Sequence, residues 1–353
     1  MENTSTSEKL VKREDLVPGM KVARDVENRF GGVLIPAGSI LTASRIEKLE
    51  ELNYYHIYVA PADKEKISEN AKKLSSQEKA YRQDMEKAAA LYRRIKYEEG
   101  IDYKEFKDLT ENALDLSTGL EVDDLLNMVR DVDEYIYAHL LNVGILSSMM
   151  GRWLNLSDDR VEKLTQAGLL HDVGKTMVPD EILYKPGPLT EEEFEEVKQH
   201  TRDGYRIVQK SDFISREVAQ GVLTHHEEFG GSGYPLGLIG REIPLFGRIL
   251  AIVDAFDAIT AERVHRRKRS PFQAMKIFKS ENFTHYDVVL REVFMEKVPN
   301  YFLHEKVRLS SGEEGKVAFI DPRQPEYPLV KTGDEYIDLS ENPDIKIKEI
   351  IKA

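Results

Sequence analysis

The segment ILAIVDAFDAI, residues 249–259, is apolar on nearly every side of a helix and yet carries Asp254. A helix of that kind has to be buried. An ionised carboxylate on it is costly unless it is paired or bound to a metal. Any fold open to this chain must therefore bring a partner to Asp254, either a Lys or Arg in an internal salt bridge or an ion shared with other donors. Histidines on other apolar faces are the available donors. Val197, His200, Gly204 and Ile207 share one face of a helix announced by a Thr190–Glu193 capping-box pattern. Val218, Val222 and His225 follow at i, i+4 and i+7. His171 and Asp172 close the helical stretch LTQAGLLHDVGK, where Gly174 is the expected helix stop. His139 lies on a further inward face. Each of these alone is more simply a hydrogen-bonded core histidine or a polar helix end. Several together would each need a separate partner unless they share a ligand. Asp257, one turn beyond Asp254, is expected to fix a ligand in place rather than to be one.

The chain has no cysteine, so a metal site here would be built from nitrogen and oxygen only. Its 353 residues, 41% of them hydrophobic, suggest two or three domains with at least one sizeable core. The fold class read from the pattern is mainly α, a helical region flanked by small β-rich modules at both ends. Residues 1–60 are expected to form a small β-rich domain, with strands between Leu16 and Val59 and a helix over Ser39–Leu52 capped by Thr42 or Ser44. Residues 61–120 read as a helical connector with Met85, Ala88, Tyr92 and Ile95 on one face. That face suits packing on a neighbouring domain and a dimer coil equally well, which leaves a homodimer open. Residues 121–300 are helical, and 301–353 return to strands with turns at Ser311-Gly312, Asp321-Pro322 and Gly333-Asp334.

No apolar run approaches the roughly 20 residues that span a bilayer, and the start MENTSTSEKL lacks the apolar core of a signal peptide. No membrane association is expected, and the cytoplasm is the expected location. A formal charge of −13 argues against DNA or RNA polymers and anionic lipid as partners. An anionic substrate would need locally placed cations or metals. Two features offer them contacts. The loop Gly230–Pro235, GGSGYP, lets backbone approach a ligand closely and presents Tyr234 as a stacking face. The run Arg263 to Arg269 is a basic exception in an acidic chain, which a solvated surface loop would also explain.

HDVGK at 171–175, HHE at 225–227 and GSGYP at 231–235 occur in that order, and in them the chain resembles the HD-GYP family over roughly residues 125–290. These are HD-superfamily phosphohydrolases associated with hydrolysis of cyclic di-GMP. The resemblance implies an all-helical HD-type catalytic domain over 121–300 and a phosphodiesterase that yields linear pGpG, with GMP as the further product. It implies two divalent ions, iron or manganese, held by His139, His171, Asp172, His200, His225, His226 and Asp254, with Asp172 bridging them. Two such ions activate a bridging water and stabilise charge on the leaving oxygen. Members with a third ion carry a glutamate four residues before the first histidine; here that place is Tyr135, and Glu134 is one position off. By the same resemblance Lys175 reaches the scissile phosphate, Tyr234 contacts a guanine with Gly233 and Pro235 beside it in the substrate site, and Arg263 and Arg266 hold the dinucleotide phosphates.

The chain departs from the family pattern in HHEEFGG, where Glu228 and Gly230 replace a basic residue and an aspartate. His265 stands where a tyrosine is common. These departures keep two other readings in view, a cyclic-dinucleotide receptor with decayed catalysis and a phosphohydrolase for another cyclic dinucleotide.

Overall fold

The computed structural model describes residues 8–27, 33–35, 37, 39–41, 46, 49–50, 54–60, 64–97, 99–120, 122, 125, 135–185, 187–261, 269–280 and 285–351. At the N-terminal end β1 (Lys9–Lys12) pairs antiparallel with β4 (His56–Val59), and β2 (Val26–Glu27) with β3 (Val33–Ile35). Strand β1 begins before the expected start at Leu16 because only Val11 of its four residues is buried, which leaves almost no alternation to detect. Val11, Leu16, Val22, Val26, Ile35, Leu41, Leu49, Ile57 and Val59 form a small core of their own. Ile46, Leu49 and Glu50 are helical, in keeping with the helix expected over Ser39–Leu52; its caps Thr42 and Ser44 lie outside the described residues.

Two long helices follow, α1 (Lys64–Lys96) and α2 (Tyr103–Gly119). Asp102 caps α2 by accepting a hydrogen bond from the Glu105 amide at 3.0 Å. Ala88, Tyr92 and Ile95 are buried, and Met85 packs against them. This face of α1 therefore turns into the core rather than to water.

The helices that follow are α3 (Tyr135–Trp153), α4 (Asp158–Leu170), α5 (Asp180–Leu183), α6 (Glu191–Lys198), α7 (His200–Gln209), α8 (Arg216–Thr224), α9 (Leu245–Thr260), α10 (Pro271–Ser280) and α11 (Val288–Lys297). The expected capping box is present at α6: the Glu193 amide donates to Thr190 Oγ1 at 3.2 Å, and the Thr190 amide donates to Glu193 Oε2 at 2.7 Å. Only Gln199 separates α6 from α7, and its φ of −64° and ψ of −20° keep the chain close to helical. As the apolar pattern required, α9 is buried, with Ile249, Leu250, Ile252, Val253 and Phe256 inaccessible. Where α3 crosses α4, a Cβ on Gly168 would lie 2.8 Å from the Gly144 Cα. Only glycine permits so close an approach.

After α11 the chain forms an antiparallel sheet of β5 (Lys306–Leu309), β6 (Glu314–Phe319), β7 (Leu329–Thr332), β8 (Glu335–Asp338) and β9 (Ile347–Ile351), in the order β8-β7-β6-β5-β9. Gly312 and Gly333 take positive φ at two of the turns read from the sequence. The buried Val307, Leu309, Val317, Val330 and Ile347 of this sheet are continuous with the helical core. The molecule is mainly α with small β modules. Among the described residues no helix is long and apolar enough to cross a membrane.

Candidate metal centre

The Gly144–Gly168 crossing brings His139 of α3 beside His171 at the end of α4, ring centroids 5.1 Å apart. Helix α4 stops at Leu170 with His171 still in the α region. Gly174 is thus not the helix stop expected from the sequence. It is itself buried, inside a 3₁₀ turn, Val173–Met177, with no positive φ, and a Cβ there would sit 1.9 Å from the His200 carbonyl oxygen. Its place is sterically reserved: the turn carrying Asp172 and Lys175 presses against the start of α7 and so sets His200 beside Asp172. His225-His226 follow the end of α8 at Thr224, and α9 contributes Asp254.

All seven expected ligands converge. One group offers donor atoms from His139, His171 and Asp254, the other from Asp172, His200, His225 and His226. The Asp172 carboxylate lies between the groups and faces each with a different oxygen. Oδ2 is 3.7 Å from His139 Nε2 and 3.5 Å from His171 Nε2, while Oδ1 is 3.3 Å from His200 Nε2 and 3.8 Å from His225 Nε2. Asp254 Oδ1 is 3.1 Å from His139 Nε2 and 3.8 Å from His171 Nε2. The side chain of Asp254 is 14% exposed and that of Lys175 28%, so the cluster is open on one side, whereas His171, His200 and His225 are sealed.

The hydrogen bonds behind the rings decide which nitrogens face inward. Nδ1 of His171 donates to the Gly168 carbonyl at 2.8 Å, Nδ1 of His200 to Val197 at 2.6 Å, and Nδ1 of His225 to Val222 at 2.7 Å. A carbonyl can only accept, so in each case the ring proton sits on Nδ1, and Nε2 of a neutral ring is a bare lone pair. Each acceptor lies three residues before its histidine, at or next to a helix C-terminus, where carbonyls lack helical partners. Nε2 of His200 and of His225 then lie 3.3 Å apart as two acceptors facing each other. Such a contact demands a proton or a cation between them. His171 Nε2 and Asp172 Oδ1 are buried without a hydrogen-bond partner among the described residues. Unsatisfied buried acceptors of this kind are rare unless a ligand completes them. The donor set, imidazole and carboxylate with no thiolate, fits divalent ions that accept nitrogen and oxygen.

Electrostatics agree with this. Burial lowers the His225 pKa to about 4, against hydrogen bonding to Asp172, and holds His226 well below its ordinary value, helped by His225 beside it. Both rings are thereby kept in the form that ligates a metal. Burial opposes ionisation of Asp172 and Asp254, but Lys175 beside the first and His139 beside the second hold both carboxyls well below the usual range. His139 is raised to about 9: burial pulls it down, and hydrogen bonds to Asp254 and Asp257 outweigh that.

Asp257 lies behind His139, where a group that fixes a ligand would stand. Its Oδ2 accepts from His139 Nδ1 at 2.7 Å. Lys175 Nζ donates to Asp172 Oδ2, the oxygen that faces His139 and His171. Tyr234 stacks on His226 with centroids 4.8 Å apart and a 33° tilt. Gly233 is required there, since a Cβ would lie 2.2 Å from the Glu228 amide nitrogen. Pro235 follows a cis peptide, and its carbonyl accepts from Arg202 Nη2 at 2.7 Å. Arg263 and Arg266, together with His265 and Glu134, lie outside the described residues; Tyr135 opens α3, its side chain likewise outside them. Of the two departures from the family pattern, Glu228 ties the loop to Ser232 and, at 3.2 Å, to His285, and Gly230 bridges to Ile239.

Sequence reasoning left several supporting residues unassigned. Glu227, 2% exposed, accepts from the Leu236 amide at 2.6 Å and the Leu238 amide at 3.0 Å, and so ties down the chain beyond Tyr234-Pro235. Its place in HHE was a signal that no role had been drawn from. Asn142 donates to Asp257 Oδ1 at 2.8 Å; its spacing of three from His139 marked it as sharing that face. For Tyr81 and Arg202 the sequence held no cue.

Residues 123–290 match the family model described as "HD domain". The chain is 36% identical over 230 residues to the cyclic di-GMP phosphodiesterase PA4108 of Pseudomonas aeruginosa, covering 65% of this chain and 55% of that protein. It is 33% identical over 190 residues to a Vibrio cholerae protein named 3'3'-cGAMP-specific phosphodiesterase 2, covering 54% of this chain and 35% of that protein. The chain thus spans about half or less of the length of these curated relatives. Among solved structures, Bd1817, a HDG"Y"P protein from Bdellovibrio bacteriovorus, superposes with a TM-score of 0.51 at 15% identity, over 81% of this chain and 98% of that one, which is likeness of fold. Residues 123–290, a little under half of the chain, thus match the HD domain, and HDVGK, HHE and GSGYP within them carry the likeness to its HD-GYP form.

Proposed function

We propose that the protein is a metal-dependent phosphodiesterase that hydrolyses cyclic di-GMP to linear pGpG, with GMP as the further product. The observation that carries this reading is the Asp172 carboxylate, which presents one oxygen to each of two donor groups. His139, His171 and Asp254 would hold one ion, and His200, His225 and His226 the other, with Asp172 shared. Iron or manganese suits these donors. Bound there, two divalent ions supply Lewis acidity to phosphate oxygens and acidify water. The protein's own groups do the rest. The carbonyls of Gly168, Val197 and Val222 orient the ligating rings. Lys175 brings a positive charge to the open side of the cluster, where it would stabilise charge on the phosphate. Tyr234, stacked on His226, supplies a face for a purine, with Gly233 and Pro235 shaping the loop. Lys198 lies 5.7 Å from the Tyr234 ring centroid and 4.8 Å from that of Phe194, which extends the shelf. Arg263 and Arg266 are proposed phosphate contacts on the sequence resemblance alone. The cytoplasm, where a cyclic dinucleotide messenger is made and consumed, is the proposed location.

A second reading, a related cyclic dinucleotide such as 3'3'-cGAMP as substrate, is favoured by one observation. Glu228 puts an acidic side chain, held by Ser232 and His285, into the loop before Tyr234 where the family pattern has a basic residue. The test is anaerobic loading with Fe(II) or Mn(II), incubation with each dinucleotide, and chromatography of the products. Turnover of cyclic di-GMP that Asp172→Ala abolishes supports the first reading. Preferential turnover of the mixed dinucleotide supports the second, and tight binding without turnover would make the protein a receptor.

A further inference from the structure

A chain of buried hydrogen bonds leaves the metal centre and ends outside the HD domain. His139 Nδ1 donates to Asp257 Oδ2 at 2.7 Å, Asn142 Nδ2 donates to Asp257 Oδ1 at 2.8 Å, and Tyr81 Oη donates to Asn142 Oδ1 at 2.7 Å. His139 and Asn142 are one turn apart on α3, and Asp257 is one turn from Asp254 on α9. Tyr81 belongs to α1, more than forty residues before the matched domain begins at 123, and is 1% exposed. Asp257 is inaccessible, and Asn142 and His139 are 4% and 5% exposed, so water does not compete for these bonds.

The directions of the bonds are fixed. Both Asp257 oxygens accept, so the Asn142 amide must turn its NH₂ to Asp257 and its oxygen to Tyr81. The Tyr81 hydroxyl then has one role, to donate. Without that donor the Asn142 oxygen is left buried and unpaired, and turning the amide over would only set it against the Asp257 carboxylate, so Asn142 is held at one end alone and positions Asp257 less firmly. The Asp257 carboxylate holds the His139 ring, whose Nε2 faces Asp254 at 3.1 Å. A partner on the far nitrogen of a ligating histidine sets both its orientation and its basicity.

We infer that Tyr81 is a positioning residue for the metal centre: through Asn142 and Asp257 it orients His139, so that the helix joining the N-terminal β strands to the HD domain supports one of the two ion sites. The inference rests on the reading of the cluster as a dinuclear site. The arrangement is asymmetric. The chain of bonds ends at His139, in the group formed by His139, His171 and Asp254, whereas the rings of His200 and His225 in the other group are held by the main-chain carbonyls of Val197 and Val222.

The test titrates metal-free full-length protein with Mn(II) and follows the free ion by its EPR signal, with thermal unfolding as a check on folding. The wild type should take two ions, and failure to do so would overturn the dinuclear reading itself. Given two ions, Tyr81→Phe should weaken one of them about 3- to 10-fold and leave the other unchanged, less than the roughly 10- to 100-fold typical when a ligand's direct partner is lost. Asn142→Ala, or Asn142→Ser if the alanine variant does not fold, should weaken the same ion more, and adding Tyr81→Phe to it should change nothing further. Equal weakening of both ions, no change in either, or additive effects of the two substitutions would each overturn the role assigned to Tyr81.

Discussion

Glu227→Gln changes one atom behind the loop beyond Tyr234-Pro235 and so tests the proposed substrate role of that loop apart from the cluster of histidines and aspartates. The Glu227 carboxylate accepts two main-chain hydrogen bonds, from Leu236 at 2.6 Å and Leu238 at 3.0 Å, and is 2% exposed. Glutamine has the same shape but one acceptor, so one amide N–H must face an NH₂ group. Losing a buried hydrogen bond to a charged group costs about 1.5–3 kcal/mol. If all of that fell on the closed loop, substrate affinity would drop by about 10- to 100-fold, at 1.4 kcal/mol per factor of ten. The loop has other ties, from Arg202 to the Pro235 carbonyl at 2.7 Å and from the Tyr234 amide to the His226 carbonyl at 3.1 Å, so the loss should lie near the lower end, about 10-fold. The assay is steady-state hydrolysis of cyclic di-GMP by the Mn(II)-loaded protein, with metal content measured on the same sample. KM should rise about 10-fold at near-constant kcat, with two ions retained. A variant that loses metal, or whose KM is unchanged, would refute the reasoning: the first would make Glu227 a ligand, the second would detach the loop from substrate binding.

Asp172→Ala removes the carboxylate that faces both donor clusters, one oxygen to each, so metal analysis should show both ions lost, not one, and turnover gone. Lys175→Ala should lower kcat by about 100- to 1000-fold, as for loss of a single group stabilising transition-state charge, while metal content stays that of the wild type. Retained turnover in this variant would reduce Lys175 to a counter-ion for Asp172. Gly174→Ala forces a Cβ to within 1.9 Å of the His200 carbonyl oxygen, main chain that cannot turn aside, and should cost about 1–3 kcal/mol as overpacking does, read as a lower melting temperature together with weaker metal binding.

Part of the cluster was legible in the chain itself, while the full set of seven followed from the family resemblance. His200 and His225 lie on apolar helical faces, where a polar ring needs a reason, and Asp254 lies on a helix too apolar to leave its carboxylate in water. Periodicity reports which face a residue is on, and that was enough to turn these side chains inward. It does not report how close two helices come. Gly174 therefore read as a helix stop, since a glycine after a helical run is most often a C-terminal cap. Its actual requirement is set by the backbone of α7 some thirty residues away, which no local pattern encodes. The short strand β1 escaped for the opposite reason: with one buried residue of four it has hardly any period to detect.

The supporting hydrogen bonds form a third case, and they explain why a domain recognised by its motifs need not be whole in itself. Asn142 and Glu227 neighbour motif residues in sequence and could be suspected by spacing. Tyr81 is separated from Asn142 by 61 positions and approaches it only because α1 packs its apolar face into the same core as α3. A hydroxyl on that face is an anomaly once α1 is known to be buried, in the way Asp254 is an anomaly on α9. The difference is that aspartate is rare enough in a core to raise the question from sequence, whereas tyrosine is common there and its hydroxyl passes unnoticed. Removing α1 to isolate residues 123–290 would leave the Asn142 oxygen without its donor and uncover the part of the core that Ala88, Leu91 and Ile95 of α1 cover. A truncated HD domain should therefore bind metal less tightly and unfold at a lower temperature than the full chain, while Tyr81→Phe in the full chain should show the first effect with far less of the second.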